Sequence, residues 1–207
     1  MLRVDHVVYA VADLDEAAAR FRQTYGLDSV AGGRRERWGT ANRIVPLGDQ
    51  YLELVAAVDP SRAETSGFGH DVVERAKAGG GWLTLAVATD DLEAVATRLG
   101  LEVDSGSRTS PDGLVLRRRM AALDDERREP WMPFFLGWDV PDDLYPGRAR
   151  AGHGIRAAGI AWVEIAGSAE GLRRWVGGEE LPIRSIHGEP AIRRVAVATS
   201  EGEIVID

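Results

Sequence analysis

Apolar and polar positions along the chain fall into blocks whose period changes in the same order more than once. The run from Val4 to Val11 is apolar and strand-like. After Asp13, Leu14, Ala17, Ala18 and Phe21 fall at i, i+3, i+4 and i+7, the spacing that gathers them on one helix face. The succession returns at Trp82 to Ala88, with Leu92, Val95, Ala96 and Leu99 after Asp91. In both copies the aspartate stands where a carboxylate accepts an orphan N–H of the first turn, and Glu16 adds the capping-box spacing in the first. Gly26 and Gly100 stand where a left-handed residue ends a helix. A third, weaker copy runs from the strand Gly159 to Ile165 through Ser168 as N-cap to Ala169, Leu172 and Val176.

Strand-rich sequence follows each helix. In the first copy it is Ser29 to Ala31, Asn42 to Leu47 and, after a Gly48-Asp49 turn, Tyr51 to Ala56. In the second it is Leu101 to Val103, Leu114 to Met120 and Phe134 to Trp138; in the third, Pro182 to Ile186, Ile192 to Ala198 and Glu203 to Ile206. The order β-α-β-β-β predicts an α+β fold of repeated βαβββ units. Their mixed sheet curls into a half-barrel, with the helices on its outer face. The chain divides into a first unit (1–58), a connecting segment (59–81), a second unit (82–140), a linker (141–157) and a third, partial βαβββ-like unit (158–207).

Composition narrows the function. There is no cysteine, which excludes disulfides, thiolate nucleophiles and Cys-based zinc sites. No stretch reaches the roughly 20 apolar residues of a membrane span, and Met1 to Asp5 lacks the apolar core of a signal peptide, so the expectation is a cytoplasmic protein with no membrane partner. The net charge of −8 argues against nucleic acid as a partner. Arg34-Arg35 and Arg117-Arg118-Arg119 are local exceptions on strands, where alternate arginines point to opposite faces. Gly79-Gly80-Gly81 precedes a strand and so lacks the helix N-terminus that a phosphate-binding loop needs.

An ordered series of motifs runs through this repeated frame. It begins with Asp5-His6-Val7-Val8-Tyr9 and Asp13-Leu14, then Gly39-Thr40-Ala41-Asn42, Leu47-Gly48 and Tyr51-Leu52-Glu53-Leu54. Gly81-Trp82, Thr89-Asp90-Asp91-Leu92, Arg108 with Pro111-Asp112-Gly113, and Pro133-Phe134-Phe135 with Trp138 complete it. In this the chain resembles the glyoxalase-like family of the vicinal-oxygen-chelate superfamily. The resemblance implies a small-molecule ligand, a divalent metal held by His6 from a first strand and Glu53 from a last strand, and pairing of units in a homodimer.

Imidazole and carboxylate suit a borderline divalent ion. Strand alternation puts His6 with Val4 and Val8, and Glu53 with Tyr51 and Val55. A metal-free polar pair between His6 and Glu53 accounts for the same residues, since a buried carboxylate needs a partner. The repeat supplies an internal comparison: seven residues before each helix cap stand His6, Thr84 and Ala161. The Glu53 position falls on Ile206 in the third unit and within Phe134 to Leu136 in the second. A catalytic metal normally takes about three protein ligands. His153, between two glycines, is the candidate third ligand, with a surface-loop histidine as the alternative.

Thr40, Asn42, Tyr51, Trp82 and Trp138 are the candidate substrate-binding residues. Arg43 and Arg119 either anchor a carboxylate or pair with surface acids. Two functions lead, ahead of a mainly structural partner protein that uses the third unit as a docking surface. One is an enzyme of lyase, isomerase or dioxygenase type acting on an oxygenated metabolite, with His6 and Glu53 as catalytic residues. It uses either a metal as Lewis acid or Glu53 as a general base whose pKa is raised by apolar neighbours. The other is a non-catalytic binder of the same fold that sequesters an antibiotic or another small molecule.

Overall fold

A computed structural model of the chain describes residues 1–109, 115–126 and 128–207, without the side chains of 107–109. The Arg108 side chain and Pro111-Asp112-Gly113 therefore lie outside the described residues.

The first unit comprises β1 (Leu2–Ala10), α1 (Leu14–Tyr25), β2 (Val30–Arg35), β3 (Thr40–Pro46) and β4 (Tyr51–Ala57). Two helices, α2 (Pro60–Glu64) and α3 (Gly67–Lys77), lead to β5 (Gly81–Thr89), α4 (Leu92–Leu99), β6 (Val103–Thr109), β7 (Val115–Ala121) and β8 (Phe134–Asp139). The last set is β9 (Ala157–Ala166), α5 (Ala169–Trp175), β10 (Ile183–Ile186), β11 (Ala191–Thr199) and β12 (Gly202–Ile206). Each repeated helix starts at its expected cap: Asp13 accepts from the Asp15 and Glu16 amides, Asp91 from Ala94 and Ser168 from Gly171. Gly26 and Gly100 end α1 and α4 at φ 68° and 63°, a region where a Cβ is strained.

In the first two units the opening strand pairs in parallel with the closing one, β1 with β4 and β5 with β8, and the middle strands extend the ladder antiparallel. Antiparallel pairing of β1 with β5 joins the units. The sheet curls until β2 meets β6 at Arg34 opposite Thr109, closing an eight-strand order β1-β4-β3-β2-β6-β7-β8-β5. The lumen holds Val8, Ala10, Val55, Ala86, Ala88, Met120, Phe134 and Leu136, and Phe68 and Val72 of α3 pack against this set. The outer face buries Val7, Leu52, Leu54, Leu85 and Val87 against Phe21 of α1, Leu92 of α4 and the third sheet.

The third set keeps the element order and changes the wiring. Its sheet runs β10-β9-β11-β12, with β9 parallel to β10, the strand directly after the helix. It adds no strand to the barrel; it covers the outside of it with Val163, Ile165, Val195, Val197 and Ile206. The far face of this sheet is closed by its own arginines. Arg184 lies 4.2 Å from the Trp162 ring centre, and Arg194 forks onto Glu164 at 2.8 and 2.9 Å. Among the described residues no helix is long and apolar enough to cross a membrane.

Two β-bulges set which residues reach the lumen. Between β1 and β5 the register passes from Val4 opposite Val87 to His6 opposite Ala86, so Asp5 is an extra residue on β1. Leu2 and Val4 consequently pack in the outer cluster while Val8 and Ala10 pack inside, and Val4 does not share the face of His6 as simple alternation predicts. The second bulge lies between Val8 opposite Thr84 and Tyr9 opposite Trp82, leaving Leu83 extra on β5. It turns Trp82 outward.

Candidate functional site: a buried ion network in the barrel

The parallel β1–β4 register sets Val8 opposite Glu53 and His6 opposite Tyr51, and His6 and Glu53 meet at 3.3 Å between Nε2 and Oε2. The other Glu53 oxygen accepts from Arg35 Nη1 at 2.6 Å and from Asn42 Nδ2 at 2.7 Å. On its far side, His6 Nδ1 lies 2.6 Å from Asp5 Oδ1. The second Asp5 oxygen accepts from Trp138 Nε1 at 2.9 Å and from the Tyr145 hydroxyl at 2.8 Å. The imidazole stacks on Tyr51, with ring centres 4.4 Å apart, and meets the edge of Phe134. Asp5, His6 and Glu53 are each only 1% exposed, so the charged centre of the network is withdrawn from water, while Trp138 and Tyr145 at its edge are half-buried.

Both imidazole nitrogens face carboxylate oxygens, Nδ1 that of Asp5 and Nε2 that of Glu53, and the tautomer decides which of them donates. The buried Glu53 carboxylate has the Arg35 guanidinium in contact and the Arg118 charge acting on it, which meets the requirement that a buried charge be paired. Burial alone pushes the Glu53 carboxyl up. The Arg35 charge, the hydrogen bond and charge of His6 and the more distant Arg118 together outweigh it, and the group lies well below the ordinary carboxylate range. The direction is opposite to the raised pKa that apolar neighbours alone lead one to expect. Burial and the Asp5 charge raise the Tyr145 phenol, which stays a donor.

Local sequence explains how these side chains arrive. Arg35 closes β2 opposite Thr40, and Asn42 lies two residues on along the same face of β3. Gly32 makes room: a Cβ there would stand 2.3 Å from Asn42 Oδ1. Arg35 and Arg118 also approach the Trp38 ring, with their guanidinium carbons 5.8 and 6.0 Å from its centre. Three buried polar atoms, on Arg35 and on β3 beside it, have no hydrogen-bond partner among the described residues: Arg35 Nε, Thr40 Oγ1 and Asn42 Oδ1. Orphaned groups of this kind mark a place where a ligand or water oxygen belongs.

Of the residues singled out from sequence, His6, Glu53, Asn42, Tyr51 and Trp138 are brought together, and Thr40 lies on the same face of β3 as Asn42, opposite Arg35. Trp82 is not: it packs on Tyr9 in the outer cluster and donates to the Ile206 carbonyl at 3.1 Å. His153 does not meet His6 or Glu53 either. Its Nδ1 accepts from the Asp28 amide at 3.0 Å and its Nε2 donates to the Pro46 carbonyl at 2.8 Å, so it is a strut between the linker and the first unit. Arg43 pairs with Asp15 and Arg119 with Glu93.

Sequence reasoning missed Asp5, Arg35, Arg118 and Tyr145. Asp5 is hidden by the bulge, and Tyr145 sits in a stretch without periodicity. Arg35 and Arg118 carried a readable signal, since one arginine of an adjacent pair on a strand must face inward.

The donor set does not fit a divalent cation. The register makes Phe134 the second-unit counterpart of Glu53, because Ala86 faces Phe134 as Val8 faces Glu53. Thr84, the counterpart of His6, accepts from Arg128 at 3.0 Å, and that guanidinium is otherwise engaged by backbone carbonyls. Both His6 nitrogens and both Glu53 oxygens are taken within the network, with a guanidinium at 2.6 Å where a metal would approach the carboxylate. Among the described residues, no three or more His, Asp or Glu side chains converge as a ligand set.

Comparison with known proteins follows the fold. A family model described as a glyoxalase-like domain matches residues 4–177. No curated protein matches the sequence. Among solved structures, a hypothetical protein from Staphylococcus aureus is similar at 18% identity with a TM-score of 0.70, covering 93% of this chain and 88% of that one, which shows the same fold over nearly the whole length. Methylmalonyl-CoA epimerase from Mycobacterium tuberculosis is similar at 23% identity with a TM-score of 0.49, over 67% of this chain and 89% of that one. A methylmalonyl-CoA epimerase in complex with methylmalonyl-CoA and NH4+ matches at 24% identity and a TM-score of 0.49, over 68% and 96%.

Proposed function

Because the chain belongs to the glyoxalase-like domain family, we propose that its barrel lumen is the site of a lyase- or isomerase-type enzyme that moves a proton next to a carbonyl group of a small oxygenated metabolite. The observation that carries this reading is the Asp5–His6–Glu53–Arg35 chain of hydrogen bonds inside an otherwise apolar lumen. Asp5 fixes the proton on His6 Nδ1, as the acid of a catalytic triad does, which leaves Nε2 as the nitrogen that exchanges its proton. The 3.3 Å contact to Glu53 is the longest link in the chain and the place where a ligand inserts. The Nε2 proton leaves to solvent as the ligand parts the imidazole from Glu53; the C–H bond beside the carbonyl then breaks, its proton passes to the vacated Nε2, and the electron pair moves to the carbonyl oxygen, and return of the proton to a neighbouring atom completes the isomerisation. Glu53 stays ionised and holds Arg35 and Asn42 in place.

The test is proton NMR in deuterium oxide with a panel of small hydroxy ketones, 2-oxo acids and thioesters. Exchange of the C–H beside the carbonyl in one of them, lost in His6→Gln, is the expected result. The sealing of His6 and Glu53 at 1% exposure favours a second reading, a non-catalytic binder that encloses its ligand. Saturable binding with no exchange in any compound selects that reading and rejects the enzyme.

A further inference from the structure

We propose that Arg35 is the resident cation of this barrel: its guanidinium occupies the role of a divalent metal, excludes such a metal from the lumen, and presents its free edge to the ligand's oxygen. The proposal begins with the charges. Glu53 and Asp5 are buried carboxylates, and Arg35, at 6% side-chain exposure, contacts Glu53 at 2.6 Å. A cation bound at the same carboxylate would meet the guanidinium head-on, and at a few ångströms in a dry interior two like charges repel strongly. Removing Glu53's remaining acceptor positions compounds this, since Asn42 and His6 take them.

The second half of the barrel carries the same substitution of roles. Phe134 fills the position opposite Ala86 with an aromatic edge against His6, and Thr84 is held by Arg128. Both lumen positions that would face a metal from the second unit are therefore committed to other partners.

The free edge is the second part of the inference, and it rests on the reading of the lumen as the ligand site. Arg35 Nε has no partner among the described residues, and neither has Thr40 Oγ1, on the residue opposite Arg35, nor Asn42 Oδ1, whose Nδ2 shares a Glu53 oxygen with Arg35. A guanidinium N–H aimed into a dry site stabilises charge that develops on a carbonyl oxygen, as a preorganised donor does in any oxyanion site. Because Arg35 is already paired with the Glu53 carboxylate, the site suits a neutral carbonyl compound, whose oxygen becomes negative only during the reaction.

Electron paramagnetic resonance of added Mn2+ tests the first part without reference to activity. The wild-type chain leaves the free Mn2+ signal unchanged at equimolar protein, as does Arg35→Lys, which keeps the charge. Arg35→Met exposes the His6–Glu53 pair and binds Mn2+ at least about tenfold more tightly, a difference lost on adding Glu53→Gln. Stoichiometric Mn2+ on the wild type that disappears in Glu53→Gln overturns the proposal, and so does a folded Arg35→Met with no gain. If Arg35→Met does not fold, the wild-type and Arg35→Lys titrations decide alone. The second part is read from exchange: Arg35→Lys lacks the Nε edge and slows it at least about tenfold while still excluding Mn2+. Exchange at the wild-type rate in Arg35→Lys removes the oxygen-facing role. Absence of exchange in every protein strikes the enzyme reading and leaves the metal result standing.

Discussion

Replacing Glu53 by glutamine keeps the shape of the side chain and deletes one buried charge. Arg35 and Arg118, at 7% and 5% exposure, then lose the carboxylate that offsets them, and the amide presents its own N–H₂ toward one of its former donors. Breaking one side of a buried pair costs about 3–5 kcal/mol. In a chain of this size that lowers Tm by roughly 6–20 °C. The sign with pH is fixed by the direction of the shift. Glu53 has a folded pKa below its unfolded value, so its contribution is complete above the ordinary glutamate range and is lost as pH falls through the lower, folded value. Urea unfolding monitored by tryptophan fluorescence, at neutral pH and at steps below about pH 4.5, measures both effects. Glu53→Gln is expected to unfold at much lower urea at neutral pH, with the gap to wild type narrowing as the acid side is reached. A double-mutant cycle with Arg35→Met isolates the pair, and the double variant is expected to recover much of the loss because neither charge is left alone. A neutral-pH loss within about 1 kcal/mol, the range of a surface pair, refutes the buried network.

Three further outcomes follow from the geometry. Gly32→Ala drives a methyl into Asn42, so it breaks the Asn42–Glu53 bond and destabilises by about 1–3 kcal/mol, measurable by thermal unfolding; Gly48→Ala, where a Cβ has open space but φ is 87°, serves as a strain-only control. Tyr145→Phe removes one of the two donors to the second oxygen of the buried Asp5 carboxylate and is expected to cost about 1.5–3 kcal/mol in urea unfolding, more than Tyr25→Phe at the edge of α1. Trp82→Ala leaves a cavity between the barrel and the third sheet at a cost of about 3–5 kcal/mol, yet leaves ligand binding in the folded protein unchanged because the side chain faces away from the lumen; altered affinity would contradict that placement.

Much of the architecture was legible in sequence because helix caps and period changes are local signals. Asp13, Asp91 and Ser168 mark their helices without reference to anything distant, and the paired units follow from them. The wiring of the third unit was not legible, since strand pairing depends on contacts far along the chain and β9 gives no local sign that it will choose β10. His6 and Glu53 could be read from type and face. Asp5 and Trp82 could not, because alternation assumes an unbroken period of two and each lies at a bulge that resets it. Arg35 was masked by a rule that is right on average: arginine is mostly exposed, and only a carboxylate supplied by another strand makes the exception affordable.

The bulge at Asp5 also restricts how this chain can change over time. Leu2 and Val4 are in phase with the outside of the barrel, whereas His6 and everything after it are counted from the inside. Substitutions within β1 alter one contact each. Losing a single residue between Val4 and His6 restores an even alternation and forces either the first residues or the imidazole onto the wrong face. Relatives that carry this network should therefore conserve the length of the Leu2–His6 interval more strictly than its identities, and an alignment gap at Asp5 would mark the members in which it is absent.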